Sequence, residues 1–264
     1  MTDLSDRRKL RPGIKPQGRG IYLLPNLFTT AALFAGFYAI VQAMNGRFDN
    51  AAMAIYVAMV MDGLDGRVAR LTHTQSAFGA EYDSLSDMVS FGVAPSLVVY
   101  EWALRGMGKL GWVAAFFYCA AAALRLARFN VQLDVADKRF FQGLPSPAAA
   151  ALLAGLVWIM HDYEIVGHRI PWVVWGTTVF AGLTMMSNLR YYSFKDINLR
   201  RNVPFVALLV VILAFALLSS NPPQVLFGVF VIYALSGCVA WVLDFRKTWR
   251  KTPPPDNSRP DASL

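Results

Sequence analysis

Eight stretches of this chain are apolar enough, over enough residues, to be read as helices that cross a bilayer, and no other feature constrains its folding more. A crossing helix needs about 20 mostly apolar residues. The stretches run over residues 25–43, 50–69, 83–103, 110–128, 146–161, 170–187, 204–219 and 223–243. Turn-forming residues separate them: Asn45-Gly46, Arg105-Gly106, Gly143 with Pro145, Gly167, and Asn221-Pro222-Pro223. With 56% hydrophobic and 16% charged residues, the 264-residue chain is not a disordered polymer, a disulfide-stapled mini-protein or an ordinary soluble enzyme. Cys119 and Cys238, far apart in apolar runs, read as small buried hydrophobes with no redox or zinc role. Residues 1–22 are polar and basic, without the apolar stretch of a cleavable leader.

Charge placement orients the bundle. If the eight stretches all cross, 21 of the 25 Lys and Arg fall on one side and 4 on the other. The positive-inside rule then puts both termini in the cytoplasm. The net charge of +8 serves topology and anionic headgroups on this reading. No soluble domain is present to carry nucleic-acid binding.

Five of the 17 acidic residues crowd between positions 62 and 87. Asp62 and Asp65 close the second stretch; Asp83 and Asp87 open the third. The spacings i,i+3 and i,i+4 place each pair on one side of its helix. Carboxylates inside a membrane are costly and mark function. Four of them converging from two antiparallel helices require a compensating cation, and an all-oxygen set without His or Cys suits Mg²⁺ or Mn²⁺. Gly66 and Gly79 remove side chains where a ligand approaches the backbone, and Arg70 offers a guanidinium that can fork onto a phosphate. A cation or proton transporter would instead spread acids through several helices, and the later stretches are nearly free of them at mid-depth.

The string Asp62-x-x-Asp65-Gly66-x-x-Ala69-Arg70, eight residues, then Gly79-x-x-x-Asp83-x-x-x-Asp87 resembles the signature of the CDP-alcohol phosphatidyltransferase family at every fixed position. Leu24-Pro25-Asn26-Leu27-Phe28-Thr29 is similar to the family's opening segment. Arg125-Leu126-Ala127-Arg128-Phe129-Asn130, Phe141-Gln142-Gly143-Leu144-Pro145-Ser146-Pro147-Ala148, Met186-Ser187-Asn188-Leu189-Arg190-Tyr191 and Ser193-Phe194-Lys195 resemble the branch that uses serine as acceptor.

The resemblance implies an all-α polytopic membrane protein. It would have a basic cytoplasmic segment (1–22), a six-helix core (23–200), two additional helices (201–245) and a disordered cytoplasmic tail (246–264). It would lie in a bacterial-type inner membrane with its active site at the cytoplasmic face, and it allows a homodimer. The implied reaction displaces CMP from CDP-diacylglycerol by the hydroxyl of L-serine. Other branches use glycerol 3-phosphate, inositol phosphate or choline. Asp62, Asp65, Asp83 and Asp87 would hold two Mg²⁺ or Mn²⁺ ions, with Asp87 also the general base. Asn26, Thr29, Gly66, Arg70, Ser76 and Gly79 would bind the CDP-lipid. A serine zwitterion needs a cation for its carboxylate and an acceptor for its ammonium; Arg125, Arg128, Arg190 and Lys195 are the candidate cations, with Asn130 nearby. The arginines also suit anchors that snorkel to headgroups. His73 reads as a loop residue, and His161 and His168 fall on the far face.

Overall fold

The computed structural model describes residues 23–72, 74, 76–132, 140–192 and 205–251. Each of the eight apolar stretches is helical. The helices are α1 (Leu23–Met44), α2 (Phe48–Leu71), α3 (Ala77–Asp87), α4 (Ala94–Val99), α5 (Lys109–Gln132), α6 (Ser146–Asp162), α7 (Pro171–Met186), α8 (Phe205–Ser220) and α9 (Pro222–Lys251). By length and composition, Pro25–Met44, Lys109–Val131 and Pro222–Leu243 are each sufficient to cross a membrane.

The third stretch is not one uniform helix. Two π-helical turns, Met88–Val93 and Tyr100–Leu104, flank α4. Pro95 accounts for the first of them. It has no N–H, so the Phe91 carbonyl four residues earlier loses its helical donor. The fully buried Tyr118 of α5 replaces it, its hydroxyl donating to the Phe91 carbonyl at 3.0 Å. An orphaned carbonyl in an apolar interior is thereby satisfied.

α6 is the central post. Every residue from Ala148 to Val157 is buried, and α6 packs against both α2 and α9. Small residues let the backbones approach closely, as expected where lipid removes the hydrophobic drive between helices. Gly155 is one such position: a Cβ there would lie 2.7 Å from the Tyr56 hydroxyl, which donates to the Ala151 carbonyl at 2.8 Å. Phe34, Phe116, Trp172, Phe215 and Ile232 point outward, as lipid-facing side chains do.

A feature absent from the sequence expectation is a two-stranded antiparallel ribbon, β1 (Phe140–Gln142) against β2 (Arg190–Tyr192), with Phe141 opposite Tyr191. Gly143 ends it at φ +78°, where a Cβ would stand 2.3 Å from the Met185 carbonyl oxygen. α9 runs to Lys251, beyond the expected boundary at 245. Cys119 and Cys238 are half-buried free thiols rather than fully buried ones. The basic segment 1–22, His73, Lys138, Arg139, Lys195 and the tail from 252 lie outside the described residues, as does the side chain of Arg190.

Candidate active site

A short turn brings the two acidic pairs together. The α2 end is closed by the Thr72 and Thr74 amides, which donate to the Val68 and Ala69 carbonyls at 2.9 and 3.1 Å. Ser76 then caps α3, its Oγ accepting from the Gly79 amide at 3.0 Å. Satisfying orphan amides in this way starts a helix where the chain must reverse. α3 returns beside α2, and Asp83 and Asp87 meet Asp62 and Asp65.

One carboxylate oxygen from each of Asp62, Asp83 and Asp87 lies within 4.8 Å of the other two. Asp65 stands next to this trio, within hydrogen-bonding reach of Asp83, as Asp62 is of Asp87. It is also tied to α1, because the buried Thr29 hydroxyl donates to its Oδ2 at 2.7 Å. Among the described residues, no Lys or Arg forms an ion pair with any of the four; the one ion pair is Arg105 with Glu101. Hard oxygen donors, partly buried and without a paired cation, fit a divalent metal ion. Ordinary solvated helix ends do not hold four acids this way.

α1 is fastened to the acidic helices by backbone carbonyls. Ser86 Oγ donates to the Thr29 carbonyl at 3.1 Å, and Ser90 Oγ to the Ala32 carbonyl at 3.0 Å. Gly36 faces Ser90 so closely that a Cβ would come 2.7 Å from its Cα. Thr30 and Tyr82 share a hydroxyl–hydroxyl bond of 2.9 Å.

The expected CDP-lipid residues divide into two kinds. Asn26, Ser76 and Gly79 form one patch: a Cβ on Gly79 would meet Ser76 Oγ at 3.1 Å and Asn26 Oδ1 at 3.5 Å. Gly66 has open space around its Cα, and Arg70 is exposed in the last turn of α2.

The arginines separate as well. Arg128 is committed to neutral acceptors, with Nη2 donating to Gln142 Oε1 and Asn188 Oδ1. It stitches α5 to the ribbon and to the end of α7. Arg125 lies deeper. Its Nη1 donates to Ser146 Oγ at 2.9 Å, and its buried Nε has no partner. The field of Asp87 reaches it. Asn130 bonds Ser84 of α3 through its Nδ2 at 3.0 Å. Ser84, Ser86, Ser146, Gln142 and Asn188 carry this geometry without having been singled out as site residues. Ser146, Gln142 and Asn188 stand inside the motif strings, so their neighbourhood was marked though their contacts were not.

Clustered carboxylates with no ion-paired Lys or Arg among the described residues suit metal-assisted chemistry on a charged substrate, and comparison supplies the class: the chain belongs to the CDP-alcohol phosphatidyltransferase family, matching it over residues 22–182. Its relatives include proteins named CDP-diacylglycerol–serine O-phosphatidyltransferase. One from Helicobacter pylori is 37% identical over 84% of this chain and 92% of the relative. One from Methanocaldococcus jannaschii is 35% identical over 73% of this chain and 85% of the relative. One from Mycobacterium bovis is 32% identical over 83% and 78%.

Proposed function

We propose that this chain transfers the phosphatidyl group of CDP-diacylglycerol to the hydroxyl of L-serine and releases CMP. The observation that carries the reading is the convergence of Asp62, Asp83 and Asp87 oxygens on one point. The names borne by relatives that align along most of their length support serine as the acceptor. The new bond joins the serine oxygen to the β-phosphorus, the bond from that phosphorus to the CMP oxygen breaks, and the serine proton passes to a carboxylate. Asp87 takes that proton, as the final aspartate of the motif. A serine hydroxyl is a weak nucleophile until a base in hydrogen-bond reach accepts its proton.

Asp62, Asp65, Asp83 and Asp87 would hold two Mg²⁺ or Mn²⁺ ions. Bound there, such ions neutralise a pyrophosphate and make its phosphorus more electrophilic. Thr29 fixes the rotamer of Asp65, and Ser86 and Ser90 fix α3 against α1. Gly66 leaves the α2 backbone open to the diphosphate, and Arg70 supplies a fork for it. Asn26 and Ser76 present polar groups to the cytidine side. Arg125, whose buried Nε has no hydrogen-bond partner, receives the serine carboxylate and brings the hydroxyl to the base. Arg128 and Asn130 hold the end of α5 in place.

The site opens at the cytoplasmic face of an inner membrane, with both termini on that side. Reporter fusions after residues 47, 107 and 168 should all read non-cytoplasmic; a cytoplasmic signal at one of them breaks that orientation. The reaction itself is tested with membranes holding the chain, labelled CDP-diacylglycerol, and serine, glycerol 3-phosphate, inositol phosphate or choline. CMP release that depends on serine is expected, and release driven by another alcohol alone would overturn the reading.

A further inference from the structure

The last helix lies outside residues 22–182, yet it anchors the ribbon whose neighbours grip the arginines. α9 packs on α6 and on the ribbon strand β2. Tyr191 of β2 makes the joint. It is fully buried, and its hydroxyl donates to the Ala234 carbonyl at 3.0 Å. Its ring fills the space that a Cβ on Gly237 would need, with Cζ at 2.3 Å and Cε1 at 2.5 Å. The Tyr233 ring, one turn earlier on α9, lies against it with centroids 5.5 Å apart. In so close a fit, any side chain at 237 must push the ring or the helix aside.

The joint fixes one end of a continuous set of contacts. Tyr191 pairs with Phe141, and the next rung joins Gln142 to Arg190. Gln142 Oε1 and Asn188 Oδ1 both accept from Arg128 Nη2. The chain then turns at Gly143, whose amide donates to the Leu189 carbonyl at 2.8 Å, and the Leu144 amide donates to the Thr184 carbonyl at 3.0 Å. Just past this turn stands the fully buried Ser146, whose Oγ accepts from Arg125 Nη1 at 2.9 Å. The oxygens that hold both guanidiniums thus border one ribbon, and a shift of the ribbon moves them. A guanidinium has five N–H donors in a fixed plane. The buried Nε of Arg125 has no protein partner, so the grip of Ser146 sets where that plane points.

We propose that Tyr191, seated on α9 in the notch at Gly237, is a positioning residue for acceptor recognition: it holds the ribbon so that Ser146 aims the Arg125 guanidinium at the carboxylate of a small amino-acid acceptor. It acts through Arg125 and touches no reacting atom. The proposal rests on the assignment of Arg125 to the acceptor, and it gives the last helix a part in acceptor affinity.

The test uses the full chain with CDP-diacylglycerol and L-serine, comparing wild type, Gly237→Ala, Tyr191→Phe, Arg125→Lys and Gly237→Ala combined with Arg125→Lys. The methyl of Gly237→Ala drives the Tyr191 ring from its notch, and the KM for serine should rise about 5-fold or more, the effect of one overpacked methyl. Tyr191→Phe keeps the ring and loses the bond to α9, so its serine KM should rise about 2- to 10-fold. The KM for CDP-diacylglycerol should stay put in both, because Thr29, Ser86 and Ser90 fasten the acidic helices to α1 without the ribbon. The combined variant should be no worse for serine than Arg125→Lys alone. An unchanged serine KM in Gly237→Ala overturns the proposal, as does an effect that adds in full to Arg125→Lys. Should Gly237→Ala fail to accumulate in the membrane, Tyr191→Phe decides by the same reading. Equal damage to both substrates would make the joint a fold device and also overturn the proposal. Should wild type release CMP with another alcohol instead of serine, the function assignment fails by itself; the same proteins tested with that alcohol still decide the role of Tyr191.

Discussion

The acidic face of α2 and α3 and the arginine corner hold their charges by opposite means. The acids come from two consecutive helices joined by a short turn, and among the described residues no Lys or Arg forms an ion pair with them. The corner draws on α5, α6, the end of α7 and a ribbon whose strands lie some fifty residues apart in the chain. Its guanidiniums are held by neutral oxygens: Ser146, Gln142 and Asn188. An acidic site left uncompensated requires an external cation before it can work. A basic site stitched by neutral groups keeps its positive charge for an anionic ligand.

The largest effects should come from breaking the acidic side. Asp62→Asn or Asp83→Asn replaces a charged hard ligand by a neutral amide, and each should abolish turnover and metal binding together. Excess chelator should do the same to wild type, with Mg²⁺ or Mn²⁺ restoring it. Asp87→Asn should lower kcat by about 10²- to 10⁴-fold, the usual worth of a general base. Isothermal titration with Mn²⁺ and single-turnover CMP release measure the two consequences separately. Full activity in chelator would remove the metal from the site.

The same contrast explains how much could be read from the residues alone. The four acids lie within 26 residues, so periodicity by itself put them on two facing helix sides. The corner unites residues 125 with 146 and 128 with 142 and 188, and no local pattern announces a contact between positions that far apart. The distinction between Arg125 and Arg128 was equally hidden: i,i+3 spacing makes them look alike, and only the third dimension shows one committed and one with donors to spare. The π turn was half legible, since Pro95 forecasts a lost hydrogen bond but not that Tyr118 replaces it. The ribbon had no signal, because three-residue strands carry too little alternation to be seen. Gly79 was read as room for a ligand, and what the sequence did not show is that Ser76 Oγ and Asn26 Oδ1 stand beside it.

Arginine substitutions sharpen the comparison at a lower scale. Arg125→Lys keeps the charge and loses the planar fork. The KM for serine should rise about 10- to 150-fold, the cost of one charge-assisted hydrogen bond left unmade. Arg128→Lys should instead lower the melting temperature and affect both substrates alike, because that residue ties α5 to Gln142 and Asn188. A silent Arg125→Lys would transfer the acceptor carboxylate elsewhere. Thr29→Val tests the acidic side at the same scale. It preserves shape and strips Asp65 of its 2.7 Å donor, so the apparent affinity for activating Mn²⁺ should fall about 10-fold, with the serine KM unchanged.

The smallest effects separate the two glycines of the acidic motif. In a helix, Gly→Ala is stabilising by about 0.5–1 kcal/mol when the new methyl meets nothing. Gly66 has open space on that side, so Gly66→Ala should leave the melting temperature level or raise it. If a diphosphate occupies that space, the methyl collides with the ligand alone, and the KM for CDP-diacylglycerol should rise about 5-fold or more, the effect of a clash near 1 kcal/mol. Gly79→Ala should behave in reverse. Its methyl would press on Ser76 Oγ at 3.1 Å and Asn26 Oδ1 at 3.5 Å, disturbing the cap of α3, so stability should fall by about 1 kcal/mol with only a minor kinetic change. Thermal unfolding and CDP-diacylglycerol titration on both variants give a crossed pattern if the glycines differ in this way. Parallel losses of stability in both would mean that Gly66 is needed for the packing of the helices and does not mark the path of the ligand.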